Sequence, residues 1–591
     1  MGIRPARHRA EPAPPVWSLA LPATERRLLD VLAGSGPDPA AVPASARDCL
    51  DRAYEAAYAE DNHGAMLLAQ MGLDQAGENE TDVVLALYSV MIAVAQIQGD
   101  QDKAEEYLQA RIATLRRTGR TLQAGVEADL GTVLFREATE PELPVLEAAL
   151  EELVADKAGP GVIADVKLAV AIALSQQGVR PRALELLEQA VDGYAAGDRT
   201  DSMAGALMYL AHTYLQAEHP RRAIAAADRL LSLPANRALA ASMWLLKANL
   251  ASTGEHVGDA VEYALTALEL YAACGVRKGA VSAAVVVAQL CAAAGDDESS
   301  VLAWRAAVQQ AERGEVREES TLRLALGNQL LEAEEYELAV AVLGKLLQRQ
   351  RLAAAPPSEV ARTLMSLGHA HRHAERTAEA LDNWRKAVAA FNRAGEFGEA
   401  ARSLLAIGTL LSREDRDTDA IVCFEAAVAA ARRETEDAAV LPQALHALGH
   451  ALCEAGDSDG ITQLDEAIRL ARDYGAHWYE ADYSDTRARG LWALDHGPAA
   501  VSAALQAADL YSAADDAASA GNAELFAAHI LSELGRPGDA VPMYRMVLDQ
   551  PGISRMLLVA ANLGLAAALE SLGRKTEARQ ARQAAEEAAE E

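Results

Sequence analysis

Residues 364–387 read LMSLGHAHRHAERTAEALDNWRKA, and their spacing of small and large side chains decides the fold. Leu364, Leu367, Gly368 and His371 fall at i, i+3, i+4 and i+7, one face of a helix, and Ala380, Trp384 and Ala387 share a face of a second. Gly368 and Ala380 stand where the two helices of a hairpin approach most closely. A larger side chain at either place forces the axes apart or leaves voids beside it.

The same spacing recurs along the whole chain, and self-similarity at a period of 20–50 residues outranks other fold signals. The positions equivalent to Gly368 are Ala53, Ile92, Gly131, Ala171, Ala211, Ala248, Ala288, Gly327, Gly368, Gly408, Gly449, Ala488, Ala528 and Ala566, which makes fourteen units with anchors 37 to 41 residues apart. The second small position, twelve residues on, is Ala65, Ala104, Ala183, Ala223, Ala260, Ala339, Ala380, Ala420, Ala500, Ala540 and Ala578. Leu143 and Ser300 fill that slot in two units, and in the unit of Gly449 it is Gly460, one residue early.

The pattern resembles the tetratricopeptide repeat, whose signature sets a large residue, Leu-Gly and an aromatic or Leu on a first helix, then Ala, an aromatic and Ala on a second. The matching residues are Leu367-Gly368 with Ala380, Trp384 and Ala387; Ile407-Gly408 with Leu411, Ala420, Phe424 and Ala427; and Leu531 with Gly535, Ala540 and Tyr544. Pro234 and Pro551 stand where the signature ends a second helix. The resemblance implies an all-α, right-handed α-solenoid, a superhelix of about 14 helical hairpins. The usual repeat is about 34 residues, so the units here have longer helices, similar to the variant of large bacterial regulators and of cargo or polarity adaptors. A HEAT-like or Sel1-like solenoid is the alternative. The Ala-, Arg- and Gly-rich usage fits a high-GC, actinobacterial source.

Composition agrees with such an array. Hydrophobic residues are 51% of the 591 and aromatics 4%, a core of Ala, Leu and Val for close helix pairs rather than one large globular centre. Net charge is −32, with a pI near 4.8, which opposes direct binding of nucleic acid. Cys49, Cys274, Cys291, Cys423 and Cys453 show no metal-ligand spacing and fit reduced thiols in a cytoplasm. Residues 1–43 are expected to be a disordered, linker-like tail carrying one short helix at 24–33, with Trp17 and Leu28-Leu29 able to dock as a lid on the first repeat. Arg4, Arg7 and Arg9 precede no secretory apolar run. Residues 44–572 are the solenoid and 573–591 a terminal capping helix, poor in large apolar residues because no further repeat covers it. The apolar stretch 280–295 is short for a bilayer and reads as a core helix, so no membrane insertion is expected. Residues 194–201, 314–319 and 354–358 are candidate inter-repeat hinges.

In the family, the residue after the Gly-equivalent points into the concave groove, often as an Asn holding a peptide backbone. Here it is Tyr54, Ala93, Thr132, Ile172, His212, Asn249, Gln289, Asn328, His369, Thr409, His450, Arg489, His529 and Ala567. Nine consecutive polar residues, His212 to His529, are expected to form a ladder able to hydrogen-bond an extended chain. Helical spacing adds Arg362, Met365, Arg372, His373, Arg402, Leu405, Ser412 and Arg413 around it, four arginines and no acid, with His446 and His450 from the next unit. Guanidinium forks bind carboxylate and phosphate bidentately, so this basic zone suits an acidic peptide, a carboxyl terminus or a phosphopeptide. The competing expectation is that these arginines pair with acids of adjacent repeats.

His369, His371 and His373, and the pair His446/His450, have chelating spacing but no evident third ligand, so no metal is assigned. No phosphate loop, nucleophile elbow or HExxH is present, paired carboxylates such as Glu414-Asp415 fall in turns, and no catalytic residue or cofactor is assigned. The expected function is a non-enzymatic scaffold whose groove binds a peptide segment of a protein partner, acidic or C-terminal. The alternative is a regulatory receptor acting in trans on a signal peptide or small ligand.

Overall fold

The computed structural model describes residues 21–33, 43–121, 123–125, 127, 142–234, 236–252, 257–313, 319–434, 439–550 and 553–590. Those residues form twenty-eight helices and no strand. Gly131 and Thr132, residues 1–20 with Trp17, most of the expected linker, the 314–318 turn and Pro551 lie outside the described residues.

The quoted stretch forms Pro357–His373 and Thr377–Ala394, packed side by side as one hairpin. A Cβ on Gly368 would collide with the indole of Trp384, and one on Gly408 with the ring of Phe424. Glycine is therefore required because an aromatic ring of the second helix fills the space that a side chain would take. The irregular unit obeys the same physics with its roles shared: a Cβ on Gly449 would lie 2.8 Å from the Gly460 carbonyl oxygen, and one on Gly460 would lie 2.5 Å from that of Gly449. Trp384, Phe391, Ala380 and Ala387 are almost fully buried.

The longer repeat is spent on longer helices, seventeen residues in Pro357–His373 and eighteen in Thr377–Ala394, joined by only residues 374–376. Such a tight reversal needs a left-handed residue. Acidic side chains take that place in many turns, with φ of 59° at Glu375, 57° at Asp415, 61° at Asp495 and 58° at Asp515. The acid pairs that the sequence places in turns are thus part of the reversal itself.

The chain divides into two compact units, one covering residues 6–335 and the other residues 336–591. In the 6–335 unit the first hairpin, Ala46–Tyr58 and Asn62–Gln75, meets hairpins far along the chain. Arg237 grips Glu55 with both prongs, at 2.8 and 3.0 Å; Asn236 Nδ2 donates to the Asp51 carbonyl at 3.1 Å. Arg47 pairs with Asp201 and Lys278 with Glu60, each at 2.6 Å. The unit closes on itself.

The helix Leu21–Ala33 belongs to this unit and starts three residues earlier than expected. It does not lie over the first repeat: it packs against Val257–Cys274 and Asp297–Arg313, second helices of the sixth and seventh hairpins. Leu28 is fully buried there and Leu29 half-exposed. Arg27 explains the place, since it pairs with Glu262 and Glu269, each at 2.6 Å, and Gln309 Nε2 donates to the Leu32 carbonyl at 3.0 Å. Arg277–Ala294 is long and apolar enough to cross a membrane by length and composition. In this unit it is the first helix of the seventh hairpin, with Ala283, Ala284, Val287, Ala288 and Cys291 fully buried.

Candidate functional site

In the 336–591 unit, Pro357–His373, Phe397–Arg413, Val440–Glu454, His477–Ala493, Ala517–Glu533 and Arg555–Ser571 are the first helices of successive hairpins. Direct contact joins the 397–413 helix to 440–454, 440–454 to 477–493, and 517–533 to 555–571, so the free faces run on within each of these groups.

The register places the expected ladder residues on those faces. Gly408, Gly449, Ala488 and Ala528 are buried, and Thr409, His450, Arg489 and His529 beside them are exposed. In the 6–335 unit, Asn249, Gln289 and Asn328 are exposed in the same way after buried Ala248, Ala288 and Gly327. His369 is half-buried, edge-on to Trp384 at 5.1 Å. Burial, with Arg372 and His373 nearby, lowers its pKa to about 4, so it is a neutral hydrogen-bonding ring at neutral pH.

The four arginines of the basic zone divide into two pairs. Arg362 reaches Glu396 at 3.5 Å, and Arg402 pairs with Glu399, three residues back on its own helix, at 2.6 Å. Both acids flank the zone from the start of the 397–413 helix. Arg372 and Arg413 behave otherwise. Neither has an ion-pair partner among the described residues; Arg372 touches the His373 ring at 2.6 Å, and its buried Nε has no acceptor. Burial and then the charge of Arg413 hold the Arg372 guanidinium below its ordinary pKa, which places two cations near each other without an anion. His373 stacks on Tyr336 at 5.0 Å.

His446 bridges to the next hairpin, with Nε2 2.8 Å from Thr486 Oγ1 and its ring stacked on Tyr483 at 4.5 Å. Burial lowers its pKa to about 4. His450 stands 3.6 Å from Glu454. The structure therefore does not bring His446 and His450 to one point as a chelating pair; among the described residues no group of three or more His, Cys, Asp or Glu is placed to hold a metal ion.

Further along the same face is a cavity of about 570 Å³, lined by Asp485 and Arg489, by Phe526 and His529, and by Tyr511, Tyr544 and Gly564 among others. Arg489 and His529 are adjacent rungs of the expected ladder, and here they share one space. Arg489 Nε donates to Asp485 Oδ2 at 2.8 Å and its guanidinium lies 4.6 Å from the Phe526 ring centre. Sequence reasoning missed Asp485, Phe526 and Tyr511. The available signal was their register: Asp485 lies one turn before Arg489 and Phe526 three residues before His529.

A family model described as tetratricopeptide repeat matches residues 359–433, the span of the Gly368 and Gly408 hairpins. That segment is a tetratricopeptide-repeat match. Similar solved structures include BtubC from P. vanneervenii, 18% identical over 40% of this chain and 91% of that one, with a TM-score of 0.31. The Cut9–Hcn1 tetramer of the APC/C is 15% identical over 96% of this chain and 98% of that one, with a TM-score of 0.29. The apo form of the quorum sensor NprR from B. thuringiensis is 14% identical over 58% and 98%, with a TM-score of 0.32. No curated protein matches the chain. In the matched tetratricopeptide repeats, Arg372 and Arg413 end the first helices of two successive units.

Proposed function

We propose that the protein is a non-enzymatic interaction scaffold whose first-helix face in the 336–591 unit captures a peptide segment of a partner, with an acidic or carboxyl-terminal group held by Arg372 and Arg413. The observation that carries this reading is the unneutralised cation pair in a chain of net charge −32. An incoming carboxylate relieves the repulsion and satisfies the orphaned Arg372 Nε, and a charge-assisted fork of this kind contributes about 1.5–3 kcal/mol. Arg362, Arg402, His373, Thr409, His446 and His450 flank it, and the exposed Asn249, Gln289 and Asn328 are the corresponding polar rungs of the other unit. A cytoplasmic location belongs to the same proposal, supported by five unpaired cysteines.

The test is a peptide array varied in charge and in free against amidated carboxyl termini, probed with the wild type and with Arg372→Glu/Arg413→Glu after circular dichroism shows equal helicity. Acidic and free-carboxyl peptides should be enriched by the wild type and weakened at least tenfold by the double variant. Identical binding patterns for both proteins sink the assignment. The second reading, a receptor that regulates in trans, is supported by the cavity beside Arg489, which is of small-ligand size.

A further inference from the structure

The cavity of the last three hairpins has a chemistry opposite to that of the arginine pair. Asp485 gives one oxygen, Oδ2, to Arg489 Nε; its other oxygen, Oδ1, is buried and has no donor. Asp482, one turn earlier on the same helix, accepts from the Tyr511 hydroxyl at 3.4 Å. Burial and then the Asp485 charge raise the Asp482 pKa to about 6. At the cavity itself Asp485 leaves a lone acceptor that awaits an N–H donor away from water. The walls are aromatic: Phe526 and Tyr511 present rings to the space, and Tyr544 closes the floor so tightly that a Cβ on Gly564 would lie 2.5 Å from it.

We propose that this cavity binds a ligand's ammonium group joined to an apolar body, the ammonium donating to Asp485 Oδ1 and the body lying against Phe526 and Tyr511. An ammonium is attracted by ring faces as well as by carboxylates, so both features of the site select the same group. The inference rests on the reading that this face holds a peptide, and it gives that peptide a direction: amino end at Asp485, acidic end at Arg372 and Arg413. Two steps between neighbouring first helices, at roughly 8–10 Å each, separate the 397–413 helix from the 477–493 helix that carries Asp485. An extended chain covers that distance in about 6 residues.

The ammonium has two possible sources, a peptide's free amino terminus or a lysine side chain, and three probes separate them. Calorimetry on the full chain uses phenylalaninamide, N-acetylphenylalaninamide and Nα-acetyl-lysinamide. Phenylalaninamide should bind at least tenfold more tightly than its acetylated form, and Asp485→Asn should remove that difference. Nα-acetyl-lysinamide binding in its place, with the same loss in Asp485→Asn, keeps the ammonium site and assigns it to a side chain. Equal binding of the acetylated and free amides, or no binding of any amine, overturns the proposal. Phe526→Leu, which keeps the volume and removes the ring, should weaken the amine at least threefold and guards against a misfolded Asn variant. Capture of acidic peptides by a wild type that binds no amine overturns this site alone. Amine binding without acidic-peptide capture overturns the peptide groove and leaves a receptor for small amines.

Discussion

At the scale of single residues, His446 shows how burial changes a role that sequence alone assigns to charge. Its ring is neutral at pH 7, stacked on Tyr483 and bridged to Thr486, and its pKa of about 4 lies below the ordinary 6.5. Between these values the unfolded chain takes up a proton that the folded unit refuses, so stability contributed at pH 7 is lost as pH falls through 6.5 towards 4. Urea unfolding at pH 7 and pH 4.5 should differ by about 2 kcal/mol on this account, and His446→Gln, which still reaches Thr486, should remove that share of the slope. An unchanged slope would mean the ring is solvated. The residues legible in advance were those whose requirement is local, such as Gly368, set by helical period. Whether Arg362 is free or paired stays open in the sequence because its partner Glu396 comes from the next repeat, and no periodicity reports which side chain reaches across.

At the scale of the element, the hairpin is held by the fit of a first-helix glycine under a second-helix aromatic. Gly368→Ala puts a methyl into the Trp384 indole, which is itself pinned by its Nε1 hydrogen bond, 3.2 Å long, to the Met365 carbonyl. The indole cannot move without losing that bond. We expect a cost of about 2–3 kcal/mol, typical of overpacking, measured as a lower denaturation midpoint at equal helicity. Trp384→Leu in the same background should recover part of it by opening space. No recovery would mean that the glycine is needed for its backbone rather than for the ring. Helix existence and order were legible because length, period and small-residue anchors agree over hundreds of residues. Docking of Leu21–Ala33 was not: its partners Glu262 and Glu269 lie more than 230 positions away and carry no local mark.

At the scale of the molecule, an array of repeats is ordinarily a sum of neighbour contacts, and the 6–335 unit departs from that rule. Glu55 is buried, and Arg237 compensates its charge on both oxygens. Arg237→Met should leave an unpaired buried carboxylate, costing about 3 kcal/mol by the usual penalty for a broken buried pair. Amide exchange should then quicken in 46–58 while 477–493, in the other unit, stays protected. Equal protection in both proteins would show that the first hairpin is held by its neighbours alone. The repeat count was legible from the sequence, but this closure was not, because it depends on how far the stack turns.

Closure also sets a clock. A chain made from its amino end completes residues 46–75 while Arg237 is still 182 positions from its partner Glu55. At roughly 5–20 residues per second, that is a wait of about ten to forty seconds. For that interval the outer side of the first hairpin, with Glu55 and its neighbours, is exposed to whatever meets a nascent chain. The first hairpin is thus built early and finished late, and errors in this unit should gather at its beginning.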